Sequence, residues 1–192
     1  MKSFRSPKEV KISGRSSSIT GAFANSIVPN IKPSSKELSQ VYKILNLNDD
    51  DLRCSYCGDR ASEWDHFRAT VNGKRPTGYL AEVYNLVPSC GKCNQSKGGV
   101  HWKTWINSTT AKLSPKNRRV RNLKDIIKRL QKFENWSNKK VTNVGYPKLD
   151  KETQILITRH WKNWKDINTR MQSSQKLAEK IKSRIKKLKG WD

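Results

Sequence analysis

The sequence predicts an α+β fold: a small strand-and-turn core set between two groups of helices. Three observations predict it. Residues 52–99 carry all four cysteines as two Cys-x-x-Cys pairs, Cys54/Cys57 and Cys90/Cys93, and show little helical period. The stretches on either side place apolar residues at one-face helical spacing. Hydrophobic residues make up 34% of the 192-residue chain and charged residues 29%, so the core is modest and one small domain with extensions, or two small domains, is expected.

Taken in order, residues 1 to about 33 are rich in Ser, Gly and Pro and are expected to be irregular. "PSSKELSQVYKILNL" then begins a helix. Ser34 and Glu37 have capping-box spacing, Leu38, Val41, Tyr42 and Leu45 share a face, and "NDDD" at 48–51 ends it. Short strands and turns follow, with an Asn-Gly hairpin turn in "VNGK" at 71–74. "GKCNQSKGG" after Cys90 opens a short helix that stops at Gly98/Gly99. Residues 122–136 form another, with Leu123, Ile126, Ile127, Leu130 and Phe133 on one face, and a loop with Gly145 and Pro147 follows at 137–149. From Asp150 to about Lys189 the pattern is one long helix, or two broken near "QSSQ" at 172–175. Trp161, Trp164, Ile167 and Met171 line one face there, and Leu177, Ile181, Ile185 and Leu188 another. Three regions result: an arm and helix at 1–51, the core at 52–105, and a basic helical region at 106–192.

Forty Lys and Arg stand against 16 Asp and Glu, a net charge of +24. That imbalance points to a polyanionic partner, nucleic acid first and an acidic membrane surface second. No run approaches the roughly 18 apolar residues of a membrane span, and the first 30 residues lack a secretory apolar stretch. Glu9 and Pro7 weaken a mitochondrial-targeting reading, so the cytoplasm is the expected compartment. In that reducing setting two Cys-x-x-Cys pairs read as metal ligands before disulfides, with independent redox pairs or free core cysteines as the alternative. Four thiolates hold zinc tetrahedrally and leave no open position, so this ion would be structural. It would staple the base of the 32 residues, 58–89, between the pairs.

That insertion holds Asp65, His66 and Asn85, and Asn94 follows the last cysteine. A neutral imidazole can take a proton from water, and a carboxylate and an amide oxygen suit Mg²⁺. Strand neighbours face opposite ways, so Asp65 and His66 need a bend to share one site, or else serve two sides of a scissile group. A buried strand histidine is the plainer reading.

The run "CSYCGD…EWDH…YNLVPSCGKCNQSKGG" resembles the HNH endonuclease family, in its zinc-stapled ββα-metal branch. The resemblance covers residues 54–99, about a quarter of the chain, and Asn85 and Asn94 lie nine apart as in the HNH domains of CRISPR effector nucleases. It implies a ββα-metal core in which His66 is the general base and Asp65 and Asn94 hold one catalytic Mg²⁺ or Mn²⁺. Asn85 would fix the first strand and orient the histidine, Lys97 would contact phosphate, and Cys54, Cys57, Cys90 and Cys93 would bind the structural zinc. Many members carry histidine where this chain has Asn94, and "HFRAT" lacks a proline common after the histidine. The implied activity is hydrolysis of double-stranded DNA to 5′-phosphate and 3′-hydroxyl ends. The large flanks suggest built-in target recognition, hence a type II restriction endonuclease acting as a homodimer on a short palindrome. A phage, homing or other defence nuclease is the alternative, and a zinc module that binds nucleic acid without cutting is a further one. His101 and His160 read as packing or surface residues. "SPKNRRVR" at 114–121 and the seven basic residues between Lys176 and Lys189 are candidate phosphate contacts or solvated faces.

Overall fold

A computed structural model describes residues 8–191 and divides the chain into two compact units, residues 24–149 and residues 8–23 with 150–191. Its elements, in order, are α1 (Ser16–Ser26), α2 (Ser35–Leu45), β1 (Glu63–His66), β2 (Val71–Asn72), β3 (Arg75–Pro76), β4 (Leu86–Ser89), α3 (Gly91–Lys97), α4 (Trp102–Ile106), α5 (Leu123–Asn138) and α6 (Lys151–Lys189). The fold is α+β, with helices around two small antiparallel pairs. β1 pairs with β4, placing Glu63 opposite Ser89, Asp65 opposite Val87 and His66 opposite Leu86. β2 pairs with β3.

Within residues 24–149, local chemistry sets the element ends. Ser34 Oγ accepts the Glu37 N–H at 3.3 Å and the Glu37 carboxylate accepts the Ser34 N–H at 2.8 Å, the reciprocal capping box. α2 stops at Asn46, which takes the left-handed conformation (φ 51°), so the helix ends before the acidic run expected to end it. The β2–β3 turn is made by Gly73 and Lys74 (φ 55° and 63°), while Asn72 pairs with Arg75 inside the strands. It therefore sits one residue later than the Asn-Gly dipeptide indicates, with both central positions at the positive φ of a primed turn.

The core of this unit joins Val41 and Leu45 of α2, Tyr56, Phe67, Val87 of β4, Trp102, Trp105 and Ile106 of α4, and Ile126, Leu130 and Phe133 of α5. Phe67 stacks on Trp102 with ring centres 5.5 Å apart and meets Phe133 edge-on at 5.1 Å. Each such ring contributes about 1.5–3 kcal/mol by leaving water. Arg68, just after β1, donates to Ser137 Oγ (3.0 Å) and Asn138 Oδ1 (2.6 Å), fixing that end of the strand to the last turn of α5.

In the second unit residues 8–23 pack along α6. The Ile12 N–H donates to Gln175 Oε1 (2.7 Å), Ser16 Oγ donates to Asn168 Oδ1 (2.6 Å), and the Trp164 indole donates to Thr20 Oγ1 (3.0 Å). The expectation of an irregular start is corrected at residues 12–26; residues 27–33 hold no helix, as expected, and residues 1–7 lie outside the described residues. Serine and glycine lower helix propensity, but packing against α6 outweighs it and α1 forms. α6 runs unbroken through "QSSQ". Gln175 is buried and donates to Glu179 at 3.0 Å within the same helix, and no glycine or proline interrupts residues 151–189. Leu177, Ile181, Ile185 and Leu188 remain 49–82% exposed. Among the described residues, no helix is long and apolar enough to cross a membrane.

Candidate metal centre and adjoining polar site

The first cysteine pair lies in a turn in which the Gly58 N–H donates to the Cys54 carbonyl (2.9 Å), with Gly58 at φ 80°. The second pair opens α3: Cys90 is its N-cap residue and Cys93 lies in its first turn. The Ser55 N–H donates to the Pro88 carbonyl at 2.8 Å, which stitches the first turn onto β4 and faces the pairs together. The four Sγ atoms lie within 4.8 Å of one another and form no disulfide. Four sulfurs on one ion with ~2.3 Å bonds would sit about 3.8 Å apart. Cys57 and Cys90 are 3.7 Å apart, so the cluster fits a metal ion. Crowding splits the thiol acidities: hydrogen bonds from Cys57 and Cys93 hold Cys54 down at about 2, and donation to Cys54 pushes Cys57 up to about 12. An ion in place of the shared protons would relieve that crowding. Arg118, from the basic stretch weighed as a DNA contact, instead donates to Cys93 Sγ (3.5 Å) and pairs with Asp59 (2.9 Å).

Beside the sulfurs lies a polar cluster on β1 and α3. Asp65 is 3% exposed. Its Oδ2 accepts from the Tyr56 hydroxyl at 2.5 Å and pairs with the Lys97 ammonium at 3.1 Å. Burial pushes its carboxyl up to about 6, against the pull of Lys97 and Tyr56. Both contacts fall on Oδ2, so Oδ1 carries no hydrogen bond. His66 Nε2 is buried without a partner among the described residues, and no hydrogen bond from them falls on Nδ1. Burial, then the nearby Lys97 charge, lowers the imidazole pKa, so the ring is neutral at pH 7. A buried polar atom without a partner costs about 1–3 kcal/mol and marks strain, a place for a water or ion, or a functional role. Asn94 on α3 donates through Nδ2 to the Glu63 carboxylate at 2.5 Å.

Asn85 is fully buried at the start of β4. Its Oδ1 accepts the Arg68 N–H (2.8 Å), and its Nδ2 donates to the Arg68 (3.0 Å) and Leu80 (3.1 Å) carbonyls. It closes the loop just beyond His66 through backbone contacts alone. The expected role of Lys97 is corrected. Its side chain has no exposure, and Nζ donates to the His66 (3.0 Å) and Gly98 (3.2 Å) carbonyls as well as pairing with Asp65. An ammonium so enclosed neutralises Asp65 and ties α3 to β1; it is not placed to meet a phosphate. His101 caps α4 by accepting the Lys103 N–H, and its Nε2 lies 3.3 Å from Glu134 Oε1, a partner 33 residues away in sequence.

Two contributors escaped the sequence reading. Tyr56, inside the first Cys-x-x-Cys, links the sulfur cluster to Asp65, and its place between two ligands was the only signal. Glu63 reaches Asn94 across 31 residues, and only its place two before Asp65 on the same strand face pointed to it. Comparison with protein-family models, with curated proteins and with solved structures found no match to this chain.

Proposed function

We propose that the chain is a divalent-metal-dependent DNA endonuclease of the HNH type, with zinc on its four cysteines and a ββα-metal core formed by β1, β4 and α3. One observation carries the reading. Asp65 Oδ1, His66 Nδ1 and the Asn94 carboxamide oxygen, on adjoining elements, take no hydrogen bond from the described residues, while Asp65 Oδ2 and the Asn94 NH₂ are held by partners. Those are the atoms a cation site and a general base need.

In this reading the neutral His66 accepts a proton from water at Nδ1, Nε2 carrying the ring's own proton. Asp65 and Asn94 hold Mg²⁺ or Mn²⁺, which when bound neutralises charge on the scissile phosphate and the leaving oxygen. Lys97 and Tyr56 fix Asp65 through Oδ2, and Asn85 fixes the chain after His66. The net charge of +24 supports a polyanionic substrate. A sequence-specific enzyme of the type II restriction class, working as a homodimer on double-stranded DNA, fits flanks larger than a bare nicking core requires.

The test is digestion of a phage DNA of known sequence by purified protein with Mg²⁺, beside a His66→Ala control. Discrete bands that vanish in the variant are expected, with DNA retardation and zinc content unchanged. Retained cutting by His66→Ala would overturn the assigned base, and DNA binding with no cutting by either protein would favour a non-catalytic zinc module.

A further inference from the structure

We propose that Glu63 is a positioning residue: it fixes the Asn94 carboxamide so that the oxygen, not the nitrogen, faces the divalent cation. The inference rests on the nuclease reading and names a part of that site that neither the cysteine spacing nor the Asp-His pair indicates.

The argument is chemical. An ionised carboxylate only accepts hydrogen bonds. The group of Asn94 that meets Glu63 at 2.5 Å is therefore its NH₂, and Oδ1 points the other way. A free asparagine has a broad, roughly two-fold preference about its last torsion, so oxygen and nitrogen exchange places readily. In the exchanged orientation two N–H donors would face the cation and repel it. The charge-assisted bond to Glu63 removes that orientation. The strand supplies the register. Glu63 and Asp65 are two apart on β1 and share a face, and Asn94 and Lys97 are three apart on α3. The pairs Glu63–Asn94 and Asp65–Lys97 thus lie side by side, and the strand that carries one cation ligand also orients the other. Gly91 gives the carboxylate room: a Cβ there would stand 3.0 Å from Glu63 Oε1, closer than ordinary contact.

The experiment is a Mn²⁺ titration of the zinc-loaded protein followed by electron paramagnetic resonance, with no DNA present. Glu63→Ala is expected to weaken Mn²⁺ binding about 10- to 100-fold, toward the level of Asn94→Ala. Glu63→Gln can meet Asn94 through either its oxygen or its NH₂, so it holds the carboxamide less strictly, and its affinity is expected between those of the unaltered protein and Glu63→Ala. In cleavage, Glu63→Ala should raise the Mg²⁺ concentration for half-maximal rate while the saturated rate recovers. Should Glu63→Ala lower the melting temperature, Glu63→Met, similar in length and without an acceptor, is expected to show the same loss.

Unchanged Mn²⁺ affinity in folded Glu63→Ala overturns the proposal. A loss in Glu63→Ala larger than that in Asn94→Ala also overturns it, since Glu63 would then act as a ligand in its own right. If Asp65→Ala abolishes Mn²⁺ binding while Glu63→Ala leaves it unchanged, this inference alone fails. If the unaltered protein binds no Mn²⁺ and cuts no DNA, the nuclease reading fails and takes the inference with it.

Discussion

The two units treat apolar residues in opposite ways. In residues 24–149, Leu130, Phe133, Trp102 and Ile106 are fully buried, and the site's charged groups Asp65 and Lys97 are enclosed with them. In the unit built on α6, Leu177, Ile181, Ile185 and Leu188 form a regular stripe that stays in water. Helical periodicity is at least as clear on α2 and α5, whose apolar faces are buried, as on α6, whose stripe is not. The tighter unit adds aromatic packing, four cysteines and side-chain bonds to backbone to those helix faces, and none of these additions has a period. Helical patterning thus reports that a helix has a sided surface, and cannot say whether this chain covers that surface.

The contrast can be broken most strongly at the metal centre. Cys90→Ser removes a ligand from a cluster whose ion, if zinc, contributes on the order of 10 kcal/mol. The indole N–H signals of Trp102 and Trp105, bonded to Glu134 and Ser96, should collapse toward free values in an NMR spectrum, while that of Trp164 on α6 persists. Loss of all three would mean that the units do not hold their order separately. Next, Phe133→Ala should cost about 3–5 kcal/mol in urea unfolding, whereas Ile181→Ala, at 57% exposure, should stay within about 0.5 kcal/mol. Equal costs would show that the α6 stripe is covered in solution.

Lys97→Met sharpens the comparison at the buried ion pair. It leaves Asp65 enclosed without its cation, at a cost of about 3 kcal/mol. The Asp65 carboxyl, already pushed up to about 6 by burial, should titrate higher still by carboxyl NMR once the Lys97 charge no longer draws it down. The smallest expected effect is on pH dependence. A raised carboxyl pKa means that Asp65 takes up a proton as pH falls through about 6, and the proton competes with a cation there. Mn²⁺ affinity should therefore fall about fourfold from pH 7.5 to 5.5. Burial, then the Lys97 charge, holds the His66 pKa below its ordinary value. An affinity that is flat in pH would place the cation away from Asp65.

Legibility in the sequence followed the range of each interaction. The Ser34–Glu37 box, the α5 face and the stop of α3 at Gly98 rest on contacts within a few residues, and could be read directly. α1 could not, because its order comes from α6, as the 152-residue separation of Ser16 and Asn168 shows. The cysteine pairs announced a cluster, since spacing encodes ligand geometry. The surroundings of Asp65 were hidden: nothing local tells that Lys97 turns inward, or that Tyr56 and Glu63 complete the polar network.

The pairing of residues 8–23 with α6 also has a consequence in time. Ile12 bonds to Gln175, 163 positions later. At about 5–20 residues per second on the ribosome, roughly ten to thirty seconds separate the synthesis of these two partners. During that interval residues 24–149, which hold every cysteine and every residue assigned to the site, are made in full. The order of synthesis lets the unit that holds the cysteine cluster take shape first, while residues 8–23 wait for the helix that will shelter them.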